Sequence, residues 1–243
     1  MNICSDVNVI IAFSIQSHEF RTPVVTYMAK HVRNNFVLLE HVKSTFLSVH
    51  IKLTKKAAQT IDFTITRVRN SNKLPKDIFS VTEFVHEEIE KRFDELRKEP
   101  RFNEAATRQY IDSLLSKYSI PELYNDEDSL ALFRDEYIQD AEDTALLVLN
   151  EFLDFFSDYR LMQTTDYKEP VEDIKKSIMQ STLIIFNKLS AQEDIALASE
   201  LIVYNKEYGK IRFFTCDKTC AQSIRKFCTK HKILIGPIDL IKK

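Results

Sequence analysis

The chain has 243 residues, of which 44% are hydrophobic and 29% charged, the profile of an ordinary globular protein whose core needs no disulfide or metal staple. Its 34 basic and 36 acidic residues give a net charge of −2, so no global basic field marks a nucleic-acid binder, although a local basic rim around an acidic centre would average to the same value. No apolar run reaches the ~18 residues of a membrane span, and with only Gly209 and Gly236 present, glycine-rich phosphate loops are excluded.

The N-terminus carries no basic region or cleavage pattern, so secretion is not expected and a cytoplasmic location is. Three of the four cysteines, Cys216, Cys220 and Cys228, fall close together. Their spacing lacks the CxxC knuckle of most zinc sites, and they read as small residues on one helix face.

In chain order, "CSDVNVIIAFS" (4–14) opens the molecule as a strand buried on both faces, with the carboxylate of Asp6 inside it. Burying that charge costs several kcal/mol unless a partner compensates it. "TPVVTYMAKHVRNN" (22–35) is predicted as a helix capped by Thr22 with Pro23 in its first turn. "FVLLE" (36–40) is a short second strand, and the stretch from His41 to Asn70 has helical period, with Val42, Phe46, Val49 and Leu53 on one face.

From Ser71 to about Thr165 charge density rises and no strand signal is visible, which predicts long amphipathic helices separated by Pro100, Pro121 and the loop "SDYRLMQTTDYKEP". A further helix is predicted over 171–189. The α/β pattern then returns. "SAQEDIALASELIVYNKEYG" is a helix with Ser190 as cap, Glu193 at the capping-box position and Gly209 closing it. "KIRFFTCD" (210–217) is a buried strand, "KTCAQSIRKFCTKH" a helix, and "KILIGPIDLI" a last strand broken at Gly236-Pro237. Strands alternating with helices imply a parallel sheet with helices on both faces.

Three places bring carboxylates into this pattern: Asp6 in the first strand, Glu193 and Asp194 in a first helical turn, and Asp217 at a strand end. Ligands of open α/β sheets bind outside the carboxyl ends of the strands. Carboxylates gathered at one point repel each other, and a hard cation such as Mg²⁺ or Mn²⁺ relieves that conflict. Simpler readings stand beside this one. Asp6 could cap a following turn, Asp194 could favour the helix dipole, Glu193 could complete a capping box, and Asp217 could cap the helix after it.

The segments "SDVNVIIAF", "LSAQEDIALASELI" and "IRFFTCDK" resemble the three motifs of PIN-domain proteins, small α/β ribonuclease-like domains with an acidic Mg²⁺- or Mn²⁺-dependent centre. Asp6 with Asn8, Asp194 in "EDIALA", and Thr215 with Asp217 occupy the matching positions. The resemblance covers about residues 1–56 and 186–243. It implies a three-layer α/β/α core with a central parallel sheet, interrupted by an all-helical insertion over 57–185. It further implies cleavage of single-stranded RNA by one or two ions on Asp6, Asp194 and Asp217, with Glu193 as a further ligand. Asn8 and Thr215 would orient ligands or bound water.

One position departs from the family. It usually supplies a further acid from the helix after strand two, and Thr45 stands where that acid is expected. Glu40, or Asp140, Glu142 or Asp143, could supply it instead. Lys218, Arg212 and Arg21 are candidates to hold phosphates, although each alone reads as solvated surface. A second reading therefore stays open: a catalytically weak or inactive PIN-like protein that acts as an RNA- or protein-interaction module. The partners compatible with these readings are single-stranded RNA, a second copy of the chain, and a protein bound through the helical segment; a membrane is not among them.

Overall fold

The N-terminal apolar run divides into two elements. A computed structural model describes residues 2–15, 18–71, 78–99, 102–163, 167–180 and 191–242. In it the first strand is Asn2–Ser5 (β1), Val7–Ser14 is a helix (α1), and Asp6 lies in the turn between them. The expected strand through Phe13 is thus corrected. A short unbroken apolar run has no periodicity that separates a buried strand from a buried helix, and here Val9, Ile10 and Ala12 are buried from a helix.

The next helix is Arg21–His31 (α2), with Phe20 rather than Thr22 at its N-cap position and no side-chain cap. Strand Asn35–Leu39 (β2) runs directly into the long helix Glu40–Arg69 (α3). Helices Ile78–Leu96 (α4), Glu104–Leu115 (α5), Ile120–Asn125 (α6) and Glu127–Arg134 (α7) follow. A π-helical turn, Asp135–Gln139, leads to helix Ala141–Leu153 (α8). Strand Asp158–Met162 (β3) and helix Lys168–Gln180 (α9) come next; the rest of the helix expected over 171–189 lies outside the described residues, as does its neighbour Ser190. Helix Ala191–Tyr208 (α10), strand Arg212–Thr215 (β4), helix Lys218–Lys230 (α11) and strand Ile238–Leu240 (β5) complete the chain.

The five strands form one all-parallel sheet in the order β3-β2-β1-β4-β5. β3 corrects a second expectation, because it arises from a segment read as helix and loop. Its first four residues are exposed, and it lies at the end of the strand order. An outermost strand needs no continuous apolar run, so "DYRLM" carries no strand signature. By contrast β1, β2 and β4 are buried almost throughout.

The chain divides into two compact units, residues 1–14, 18–46 and 148–243, and residues 15–17 with 47–147. In the first, an aromatic cluster packs beside the sheet: Phe36 stacks on Phe156 at 4.7 Å and meets Phe152 edge-on at 5.3 Å, which in turn meets Phe13. Asn205 of α10 ties two loops together, its Oδ1 accepting from the N–H groups of Ile211 and Gly236 at 3.1 Å each. A Cβ at Gly236 would fall 1.9 Å from the Ile211 carbonyl oxygen, so only glycine allows this approach.

Among the described residues of the second unit, every regular element is a helix. Ile61, Ile65, Val85, Ile89, Phe93, Leu114, Leu123 and Phe133 are among its buried side chains. Arg69 donates to the carbonyls of Leu123 and Tyr124 at 2.7 Å, placing a cation at the C-terminal end of α6, where the helix dipole favours it. Half-buried Arg108 pairs with Glu90 and Glu104, and Arg97 with Glu104.

Candidate functional site

Strand order reverses at β1: the chain runs outward through β2 and β3, then returns to add β4 and β5 on the other side. The crevice between the carboxyl ends of β1 and β4 is therefore the topological switch point, where open α/β sheets bind their ligands. Acids follow all three adjacent strand ends there. Asp6 directly follows β1, Glu40 directly follows β2, and Asp217 stands two residues beyond β4.

Asp6 is only 3% exposed. Its Oδ1 accepts from the Val9 N–H at 3.1 Å, which caps α1. Its Oδ2 accepts from the Thr215 hydroxyl and, at 3.4 Å, from the Asn8 amide. Burial pushes its pKa up to about 6, the charge of Asp217 adds to that rise, and the three hydrogen bonds oppose it. The strand-buried carboxylate anticipated from the sequence is thus a turn residue at the sheet edge.

Asp217 is the N-cap of α11, its Oδ1 accepting from Thr219 N at 2.6 Å and Cys220 N at 3.0 Å. Its own N–H donates to Thr215 Oγ1 at 2.8 Å. The capping role and the position at the switch point coincide in this residue. Asp194, half-buried in the first turn of α10, is also raised to about 6, first by burial, then by the charge of Asp217, while the Cys220 thiol donates to it. Burial and the charges of Asp6, Asp194 and Asp217 together push the Cys220 thiol far up. Burial, Asp6 and Asp217 push Cys216 up to about 12. The charges of all three aspartates named from the sequence therefore reach Cys220, and both thiols stay protonated.

Glu193 is exposed; its charge acts on Asp194, and its backbone carbonyl accepts from the His41 ring. His41 was not anticipated, and neither was its partner. Glu200 is 4% exposed, and both its carboxylate oxygens accept from the His41 backbone N–H at 3.2 Å. A carboxylate at the start of α3 complements that helix dipole. Burial, opposed by the His41 bond and aided by the charge of Glu40, raises Glu200 to about 7. The sequence did hold a signal, since Glu200 interrupts a run of buried residues, Leu197 to Asn205 in α10, and a charge there requires a partner.

Thr45 lies one turn from His41, its Oγ1 3.4 Å from His41 Nε2. Asp140, Glu142 and Asp143 are exposed residues of the second unit. Of the phosphate candidates, Arg212 pairs with Asp239 at the start of β4, Arg21 donates to the Phe13 carbonyl, and Lys218 is exposed beside Asp217.

Asp6, Asp194 and Asp217 offer the hard oxygen donors that Mg²⁺ and Mn²⁺ prefer. Among the described residues, no three Asp, Glu, His or Cys side chains are grouped so as to hold a metal ion. The donor chemistry fits such an ion, whereas the oxygens of Asp6 face Val9, Asn8 and Thr215. No described helix is long and apolar enough to cross a membrane. Comparison with protein-family models, curated proteins and solved structures found no match to the chain.

Proposed function

We propose that the first unit is a PIN-like ribonuclease core in which Asp6, Asp194 and Asp217 hold Mg²⁺ or Mn²⁺ and cleave single-stranded RNA. The observation that carries this reading is the Thr215 hydroxyl joining Asp6, in the turn after β1, to the backbone of Asp217, beyond β4, at the switch point of a parallel sheet, with the charge of Asp217 acting on both Asp6 and Asp194. A bound ion there would lower the pKa of a water and neutralise charge on the phosphorane-like transition state. The chain's own part is positioning. Val9 N–H, Asn8 and Thr215 fix Asp6, and Thr215 ties it to the backbone of Asp217. Cys220 steers Asp194 as a hydrogen-bond donor, and its raised pKa removes it as a nucleophile.

Mixed-sequence RNA incubated with Mn²⁺, Mg²⁺ or EDTA, beside Asp6→Asn, tests this. Cleavage that needs the metal and is lost in Asp6→Asn is expected; no cleavage with either metal overturns it. The second reading, an interaction module without strong catalysis, is favoured by the absence of a closed three-ligand group among the described residues and by Thr45.

A further inference from the structure

A cleft of about 350 Å³ opens beside the acidic end of the sheet, between the segment His18–Phe20 on one side and Cys216–Lys218 on the other, with Asn8 also lining it. Its size suits one small planar ligand with its polar tail. Phe20 stands at the N-cap position of α2, where Ser, Thr, Asp or Asn would serve the helix, and it makes no capping bond. Helix capping therefore gives no reason for a phenyl ring here. The ring instead lies 6.1 Å from that of His18, tilted by 43°. His18 Nδ1 accepts from the Phe20 backbone N–H at 3.1 Å, which orients the imidazole against the start of α2 and puts the proton of the neutral imidazole on Nε2. Lys218 brings a cation to the same cleft, next to Asp217.

We propose that this cleft is a nucleotide subsite, in which one unstacked base of a single-stranded nucleic acid lies against Phe20 and His18 while Lys218 holds an adjoining phosphate. Aromatic rings take bases of any sequence because every base has a π-face, and one lysine on the backbone adds a salt-dependent contact. Glu19, exposed on the same cleft, opposes phosphate and confines it to the Lys218 side. The placement of the phosphate rests on the ribonuclease reading of Asp217; the stacking of the base does not.

The test is binding of a fluorescein-labelled RNA decamer in EDTA, followed by anisotropy across a salt series. Phe20→Ala is expected to weaken binding roughly ten-fold without changing the salt slope, and Phe20→Trp to restore it. Lys218→Ala should flatten the slope of log Kd against log salt by about 0.7, and Glu19→Gln should tighten binding. With the wild-type chain, a fully abasic decamer should lose at least as much affinity as Phe20→Ala does, which keeps the test independent of how that variant folds. Equal binding of the abasic and intact decamers, or no binding by the wild type, overturns the subsite. Binding that depends on Phe20 and on the bases, without any Mn²⁺-dependent cleavage, upholds the stacking subsite and sinks the ribonuclease reading. Cleavage indifferent to Phe20→Ala does the reverse.

Discussion

Thr215 binds Asp6 from the neighbouring strand: its hydroxyl, completely buried, donates to Asp6 Oδ2 and accepts from the Asp217 N–H at 2.8 Å. One side chain thus sets the distance between two acids that repel each other. Thr215→Val keeps the shape and removes both bonds. It should destabilise the protein by about 1–3 kcal/mol, the range for leaving buried polar groups unpaired, and raise the pKa of Asp6 further above about 6. Thr215→Ser should retain most of both. Urea unfolding and a carboxyl titration by NMR read the two effects; an unmoved Asp6 titration would refute the tie.

The pH dependence of stability follows from three raised carboxyls. Asp6 and Asp194 titrate at about 6 and Glu200 at about 7, each above its value in the unfolded chain. Each therefore contributes stability that is complete below the unfolded pKa, near 4, and is lost as pH rises through the folded one. The metal-free protein should be more stable at about pH 5 than at about pH 8. For buried Asp6 the whole effect is on the order of 3 kcal/mol, about half of which falls between about pH 5 and about pH 8; half-exposed Asp194 contributes less because solvent screens it. Melting temperature against pH, in EDTA, should fall across this window, and Asp6→Asn should flatten the fall. A profile that rises from about pH 5 to about pH 8 in the wild type would contradict the assignment.

Glu200 allows a sharper test. A buried carboxylate with a raised pKa is held against its preference, so Glu200→Gln should stabilise the protein at about pH 8 and do little at about pH 5. Glu200→Ala leaves the His41 N–H without this acceptor and should destabilise at both pH values, by about 1–3 kcal/mol. If Gln and Ala behave alike, the carboxylate does not hold the start of α3.

A cation relieving the repulsion among Asp6, Asp194 and Asp217 should raise the melting temperature. Mass action sets the gain, about 2.7 kcal/mol at a concentration a hundred-fold above Kd. Asp217→Asn should stabilise the metal-free form, since it removes a charge that raises both partners, and should weaken the response to Mn²⁺. Equal Mn²⁺ responses in the wild type, Asp6→Asn and Asp217→Asn would place these residues outside any metal site.

Alternation of strand and helix made the parallel sheet legible, and the acids Asp6 and Asp217 could be placed from it near strand ends. The errors have physical causes. "VNVIIAF" is apolar at nearly every position, and a helix buried on most of its surface looks the same as a doubly buried strand. β3 is exposed and outermost, so Tyr159 and Arg160 need not alternate with apolar residues. His41 left no trace because what matters is its backbone N–H, which every residue but proline possesses. Glu200 could have been found, since it stands inside the largely apolar run "IALASELIVY". The Thr215 hydroxyl was legible only as a position, because its bond to Asp6 joins segments 209 residues apart in the chain.

The departure at Thr45 gives the last prediction. Its hydroxyl faces His41, whose ring meets the Glu193 carbonyl and whose N–H is held by Glu200. Thr45→Glu puts a carboxylate one helical turn from that ring, which burial now holds below the ordinary histidine pKa. The imidazolium would gain a partner, so the pKa of His41 should rise, as read by NMR. The same carboxylate would stand beside the first turn of α10, where Asp194 lies. If the ion sits among Asp6, Asp194 and Asp217, its affinity for Mn²⁺ should increase, and so should Mn²⁺-dependent cleavage. Ser44→Glu is the matched control: Ser44 is exposed and its hydroxyl donates back to the His41 carbonyl, so the Mn²⁺ affinity should not move. A shift at His41 with no change in Mn²⁺ affinity would put residue 45 next to the imidazole but out of reach of the ion, and the reading as an interaction module would then be the stronger one.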